Sequence, residues 1–254
     1  MPGSMRRLLI AIAALACLAT PVQALAARGT AGKAERLTER TILDLNEVLD
    51  DARADLAEVA DLPSVHAQDG AACESDTQAF DDQRYTAFGA ADIEGDVYCL
   101  SIGLASPINI ADRAYFLRTV GTRQLSVGDY QLGRQTGLQT VGLGYPVIGD
   151  SGAVTGISLA TLWLDWLGNR VERRQSARSA DNLVIDDHGT VLARSGLADT
   201  DPGTNIASTK LAKSVLRDDF GVGRFRIAGD PVDAAWGIVP LSDGEMHVAV
   251  SVPR

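Results

Sequence analysis

Pro107-Ile108-Asn109-Ile110-Ala111-Asp112-Arg113-Ala114-Tyr115-Phe116, followed shortly by Val127-Gly128-Asp129-Tyr130-Gln131-Leu132-Gly133-Arg134, decides how this chain is read. The two runs set a pair of arginines, aspartate and three aromatic rings among apolar, strand-like residues. An arginine presents a planar fork that matches a carboxylate, and rings beside it can pack a small ligand's apolar part. Arg113, with Tyr115 and Phe116 in the turn behind it, is therefore the candidate anchor of a ligand pocket. Tyr130 and Arg134, on and just after the next strand, would close that pocket. Tyr145, at the aromatic-Pro step Tyr145-Pro146, would join an apolar floor drawn from residues 140–162. A purely structural reading stands beside this one. In it Asp112 and Arg113 pair with each other or with backbone, and Tyr115 and Phe116 are core.

Outward from these runs, the pattern is of short strands with helices between them. Residues 111–120 read as a short helix with an aromatic and aliphatic face, and 85–90, 96–103, 127–132 and 140–148 read as strands. Gly149-Asp150-Ser151-Gly152 is a hairpin turn by composition, and the almost wholly apolar 153–162 is its partner strand. A helix follows to about Arg174. Residues 175–180 are polar and basic and read as a linker. Beyond them Asp186-Asp187-His188-Gly189-Thr190-Val191 echoes Asp92-Ile93-Glu94-Gly95-Asp96-Val97, each placing D-x-x-G-x-V between two strands, which points to a duplicated unit. A helix at 207–217 and strands at 223–228, 234–239 and 246–252 complete a shorter second unit. Hairpins with flanking helices make an α+β chain of two antiparallel layers.

Upstream, Leu45, Leu49, Ala52, Leu56 and Val59 recur at four- and three-residue steps among charges. That is one apolar stripe on a long helix, expected over residues 34–61 and stopped by Pro63. Its main role is packing on its own sheet, and part of the stripe is also suited to pairing in a homodimer. Residues 69–83 read as a polar loop carrying Cys73. Arg6 and Arg7 precede an aliphatic run, then Ala24-Leu25-Ala26 follows, so residues 1–27 read as a signal peptide or an N-terminal membrane anchor. Export leaves Cys73 and Cys99 as one disulfide, against the alternative of two buried free thiols.

Of 254 residues, 46% are apolar, and the net charge is −10. That acidity excludes general phosphate attraction, so a nucleic-acid partner is not expected. The three histidines, His66, His188 and His247, lack paired ligand spacing, so neither a metal site nor a catalytic histidine is expected. No nucleophile elbow, zinc-protease, phosphate-loop or dinucleotide motif is present, so the chain reads as neither an enzyme nor a cofactor binder.

The order D-R-x-Y-F, then G-D-Y-x-x-G-R, then aromatic-Pro-Val resembles the ligand-facing segment of the Cache family, PAS-like sensor domains outside bacterial membranes. Here the three are Asp112–Phe116, Gly128–Arg134 and Tyr145–Val147, and the resemblance runs from about Leu37 to Pro253. It implies a double Cache architecture: a long helix, a membrane-distal ligand-binding module over 62–174, and a smaller membrane-proximal module over 181–254. It also favours the anchor reading of the N-terminus. Members that bind amino acids usually carry a tyrosine some five residues before the arginine and an aspartate on the last strand of the distal sheet. Ile108 and Thr161 stand there, so the resemblance implies a carboxylate-holding half without the ammonium-holding half. The expected function is small-molecule sensing for a histidine kinase, diguanylate cyclase or chemoreceptor, with the output in a cytoplasmic domain or a separate signalling partner. A periplasmic solute-binding protein without its own output is the alternative.

Overall fold

The leucine stripe belongs to α1 (Thr30–Ala60), a helix of 31 residues. At about 1.5 Å per residue it runs roughly 46 Å. It starts earlier than the stripe alone indicates, because Gly29 is extended and serves as the N-cap, and residues 30–33 already form the first turn. Asp61 caps its end and Leu62, the residue before Pro63, is extended, as the proline ring requires. The computed structural model describes residues 29–80, 82–174, 180–196, 200–243 and 245–254. The signal or anchor segment and most of the expected linker at 175–180 lie outside these.

Residues 69–83 are not the plain loop expected. Pro63–His66 is α2, and Gly70–Thr77 is α3, whose N-cap Asp69 accepts a hydrogen bond from the Ala72 N–H at 3.2 Å. The eight residues of α3 lack an apolar stripe, so periodicity could not reveal it. Its cap starts it, and the Cys73–Cys99 disulfide, with Cα atoms 5.9 Å apart, fastens it to the sheet behind.

Two antiparallel sheets follow, as the duplicated pattern predicted. The first holds β1 (Tyr85–Asp92), β2 (Asp96–Leu100), β3 (Ile108–Asn109), β4 (Ser126–Leu132), β5 (Gln139–Ile148) and β6 (Val154–Trp163) in the order β3-β2-β1-β6-β5-β4. The helix α4 (Ala114–Thr122) precedes β4, and α5 (Leu164–Arg174) leaves β6. The second holds β7 (Asp181–Asp186), β8 (Val191–Ser195), β9 (Phe220–Ile227), β10 (Asp230–Ile238) and β11 (Met246–Pro253) in the order β8-β7-β11-β10-β9, with α6 (Lys210–Val215) preceding β9. Set β1 against β7, β2 against β8, and β4, β5, β6 against β9, β10, β11, and the two orders coincide apart from the extra edge strand β3.

The correspondence reaches single atoms. Asp92 Oδ1 accepts from the N–H groups of Glu94 and Asp96, and Asp186 Oδ1 accepts from those of His188 and Thr190. Gly95 and Gly189 follow with φ of 85° and 76°, a region that glycine enters without steric cost. Each glycine's carbonyl then accepts from an isoleucine, Ile110 or Ile206, at 2.8 Å. Asn109 and Asn205 each donate to the carbonyl before the glycine, from Glu94 and His188, and accept from Ala111 and Ala207. The repeat is therefore longer than D-x-x-G-x-V: it includes Asn-Ile-Ala at 109–111 and again at 205–207.

The stripe of α1 packs on both sheets rather than on one. Toward its start, Thr38 donates to the Ala235 carbonyl of β10 at 3.0 Å, and toward its end Ser158 of β6 donates to the Leu56 carbonyl at 2.8 Å. One apolar core runs along it, from Ala34 and Val248 to Leu56 and Leu162. α5 is tied back to the same helix, Arg170 gripping Asp44 through two hydrogen bonds of 3.0 and 2.8 Å. The second face of each sheet carries its own smaller core, under α4 in the first unit and under α6 in the second.

Candidate ligand site

On the α4 side of the first sheet, strand alternation places Ala87 of β1 and Leu159 and Thr161 of β6 on one face, and the register shift opposite Ala90 and Ala91 lets β2 add both Val97 and Leu100, three residues apart. They wall a narrow cavity of about 50 Å³ that Ile108, Ile110 and Tyr115 help to enclose. Its polar lining is Arg113, Gln131, Arg134, Gln135, Thr136 and Thr161. Ile108 and Thr161, the two positions singled out as apolar or neutral replacements, face this same space.

Arg113 is the extended N-cap of α4 and half-buried. Its guanidinium makes one long hydrogen bond, 3.4 Å to the Leu132 carbonyl. No carboxylate among the described residues forms an ion pair with it. The pairing of Asp112 with Arg113 does not occur: Asp112 is bound by Arg134 at 2.6 Å, and Arg134 also donates to the Asn109 carbonyl. That hydrogen bond and the Arg134 charge hold the Asp112 carboxyl below its ordinary range. Arg134 thus straps the turn after β4 to the loop before α4 and lines the cavity with its charge already committed.

Tyr115 is 3% exposed, and burial pushes its phenol up to about 12. Its ring lies across Gly128, Gly142 and Gly144 of β4 and β5, where any side chain would meet it. This explains the glycine alternation in Val141-Gly142-Leu143-Gly144-Tyr145. Phe116 is buried in the core beside it and does not line the cavity.

Tyr130 and Tyr145 are not brought to this site. Both lie on the opposite face of the sheet, packed against the core that contains α1. Alternation gives the cavity Gln131 instead of Tyr130. The Tyr130 N–H donates to Asp186 Oδ2 at 3.2 Å and its ring abuts Gly203, so this residue joins the two units. Tyr145 borders a separate cleft with Arg53, Arg123 and Leu241. In β5 the parity about Gly142 and Gly144 is the sequence signal that separates Tyr145 from Tyr115; in β4 Tyr130 shares the parity of Gly128, and the register shift between Val127 and Tyr130 turns it to the other face.

A second polar cluster sits at the junction of the units. Arg118 of α4 donates to Glu245, just before β11, at 2.8 Å and lies 3.7 Å from Asp129 of β4. His188 and Asp187, on the turn after β7, stand 2.6 Å apart, and the ligating atoms of Asp129, Asp187 and His188 all fall within 4.8 Å of one another. In the sequence Asp187 and His188 stand out only as part of the D-x-x-G-x-V run between two strands. Burial raises the Asp129 carboxyl against the pull of Arg118, and burial lifts Glu245 to about 7, with Asp187 and Asp129 adding to the rise.

No family model matches the chain, and no curated protein matches it. Solved structures do. The extracellular domain of the putative histidine kinase rpHK1S-Z16 superposes with a TM-score of 0.68 at 15% identity, covering 92% of this chain and 97% of that one. The ligand-binding domain of the Pseudomonas aeruginosa PAO1 amino acid chemoreceptor PctB, in complex with L-Arg, gives 0.67 at 12% identity, over 88% and 95%. The sensor domain of the V. cholerae histidine kinase DctB gives 0.61 at 17% identity, over 92% and 99%. No helix among the described residues is long and apolar enough to cross a membrane. With its long helix, two like-ordered sheets and these neighbours, the chain has the double Cache fold of bacterial extracellular sensor domains.

Proposed function

We propose that the chain is the extracytoplasmic small-molecule sensing module of a bacterial signal-transduction receptor, and that its ligand binds in the first unit with Arg113 as anchor. The observation that supports this best is an arginine that lines an apolar-walled cavity and whose guanidinium makes one long bond, to a carbonyl. A charge in that setting gains most from an acceptor brought by a ligand. The ligand is a small carboxylate. Thr161 and Ile108 supply neither a carboxylate nor a phenol for an ammonium group, and the cavity is far below the roughly 300–1,000 Å³ of common ligand pockets. Gln135, also in the lining, donates to the Gly103 carbonyl at 3.4 Å.

Binding biases the conformation of the unit, and α1, packed on both sheets, passes the bias onward. The output lies in a cytoplasmic domain or a separate signalling partner of the histidine kinase, diguanylate cyclase or chemoreceptor type, and a homodimer forms along α1. A thermal-shift screen of residues 29–254 against two- to five-carbon carboxylates and their amides tests the reading. A carboxylate that binds only the folded state raises the melting temperature, and its amide does not. A panel in which α-amino acids stabilise the protein and simple carboxylates do not would refute the ligand class.

A further inference from the structure

The second unit contains a larger concavity, about 800 Å³, on the outer face of its sheet. The internal repeat shows what this space is. Ile206, Thr209 and Leu211 line it at the steps past Asn205 where Ile110, Arg113 and Tyr115 line the first cavity past Asn109. Arg194 lines it at the step past Gly189 that Leu100 takes past Gly95. Thr209 caps α6 as Arg113 caps α4. The two cavities therefore occupy the same place in the two copies of one fold.

Their chemistry differs. The stretch 181–254 has seven Lys and Arg, and five of them, Arg194, Lys210, Arg224, Arg226 and Arg254, line this one concavity. No Asp or Glu among the described residues lines it, in a chain whose net charge is −10. On β9 Arg224 and Arg226 alternate with Phe225, so their side chains leave the strand on the α1 face and reach the recess around this edge strand; there Asp233 draws Arg224 and Arg254 at 3.7 and 3.6 Å, and Arg226 donates to the Gly229 carbonyl at 2.8 Å. A guanidinium has five donors, so these contacts leave the three able to bind a further acceptor. Leu183, Phe225 and Val232 floor the space. Like charges gathered around a recess focus the field there and attract anions.

We propose that the second unit holds its own ligand site, for a small polyanion with an apolar body, such as a di- or tricarboxylate or a phosphate ester. The inference stands whether or not the first cavity takes a ligand. Calorimetric titration at low ionic strength tests it, with citrate and pyrophosphate as probes of the two anion types. At least one is expected to bind, and its affinity should fall by about tenfold or more in Lys210→Ala/Arg226→Ala, both positions being exposed. The single variants Lys210→Gln and Arg226→Gln should each lose part of that, which covers a double variant that folds poorly. The same probe should bind Arg113→Ala as tightly as the parent. Binding that fails in Arg113→Ala and persists in the double variant would place the anion in the first cavity and overturn the proposal. So would binding to phosphatidylglycerol vesicles with none to either soluble probe, which would assign these cations to a membrane surface, and so would no binding to any of the three.

Discussion

Glu245 is 8% exposed, and its carboxylate faces Arg118 from α4, Asp129 from β4 and Asp187 from the turn after β7. Burial, more than its acidic neighbours, raises its pKa to about 7 against the Arg118 charge. In the unfolded chain a glutamate titrates near 4.3. Between these values the folded state binds the extra proton, so stability falls as pH rises through the window and levels off above about 7. Urea denaturation at pH 5 and pH 7.5 should show the parent less stable at the higher value, with a smaller difference in Glu245→Gln. A parent that gains stability across that interval would show the burial cost to be misjudged. Gly142 offers a second test of single-residue placement. Its missing side chain makes room for the Tyr115 ring, so Gly142→Ala should cost about 1–3 kcal/mol in the same assay, as overpacking does. At Gly168, where nothing lies within 4 Å, the overpacking cost should be absent.

The disulfide is the element-scale device. It fixes α3, which has no apolar stripe to hold it, to β2 across a separation of 26 residues. In the chain-entropy view closing such a loop is worth about 3 kcal/mol, so Cys73→Ser/Cys99→Ser should lower the unfolding free energy by roughly 2–5 kcal/mol. An unchanged denaturation midpoint would contradict this. Elements with a period were legible in the sequence: α1 from its leucines, the central strands from their apolar runs, and the two-sheet division from the repeated aspartate-glycine turn. What escaped had no period. α3 depends on one capping aspartate and a covalent bond. β3 is only two residues long, held by Asn109 reaching Asp96 and the Glu94 carbonyl. The site was legible in part for the same reason. Arg113 and Tyr115 are placed by a helix start and a glycine groove written locally. The assignment of Tyr130 and Tyr145 turned on strand parity across a sheet whose β4–β5 register shifts between Val127 and Tyr130.

At the scale of the whole molecule, α1 makes the two units one body. Its core cluster includes residues of both sheets, and Arg170–Asp44, Arg118–Glu245 and Tyr130–Asp186 cross between elements around it. Scanning calorimetry of residues 29–254 should therefore show a single transition with equal calorimetric and van't Hoff enthalpies, and two resolved transitions would mean that the units unfold independently. In the sensing role proposed above, the shared helix is the element that carries occupancy of one cavity to the far end of the chain. That proposed role depends on a ligand entering the first cavity and being held there by Arg113, which has no carboxylate partner among the described residues. Isothermal titration of the stabilising carboxylate into the parent and into Arg113→Ala measures this directly. The account predicts a loss of about 1.5–3 kcal/mol, roughly ten- to a hundredfold in affinity, with the unliganded variant melting as the parent does. Equal affinity in the two proteins would contradict it.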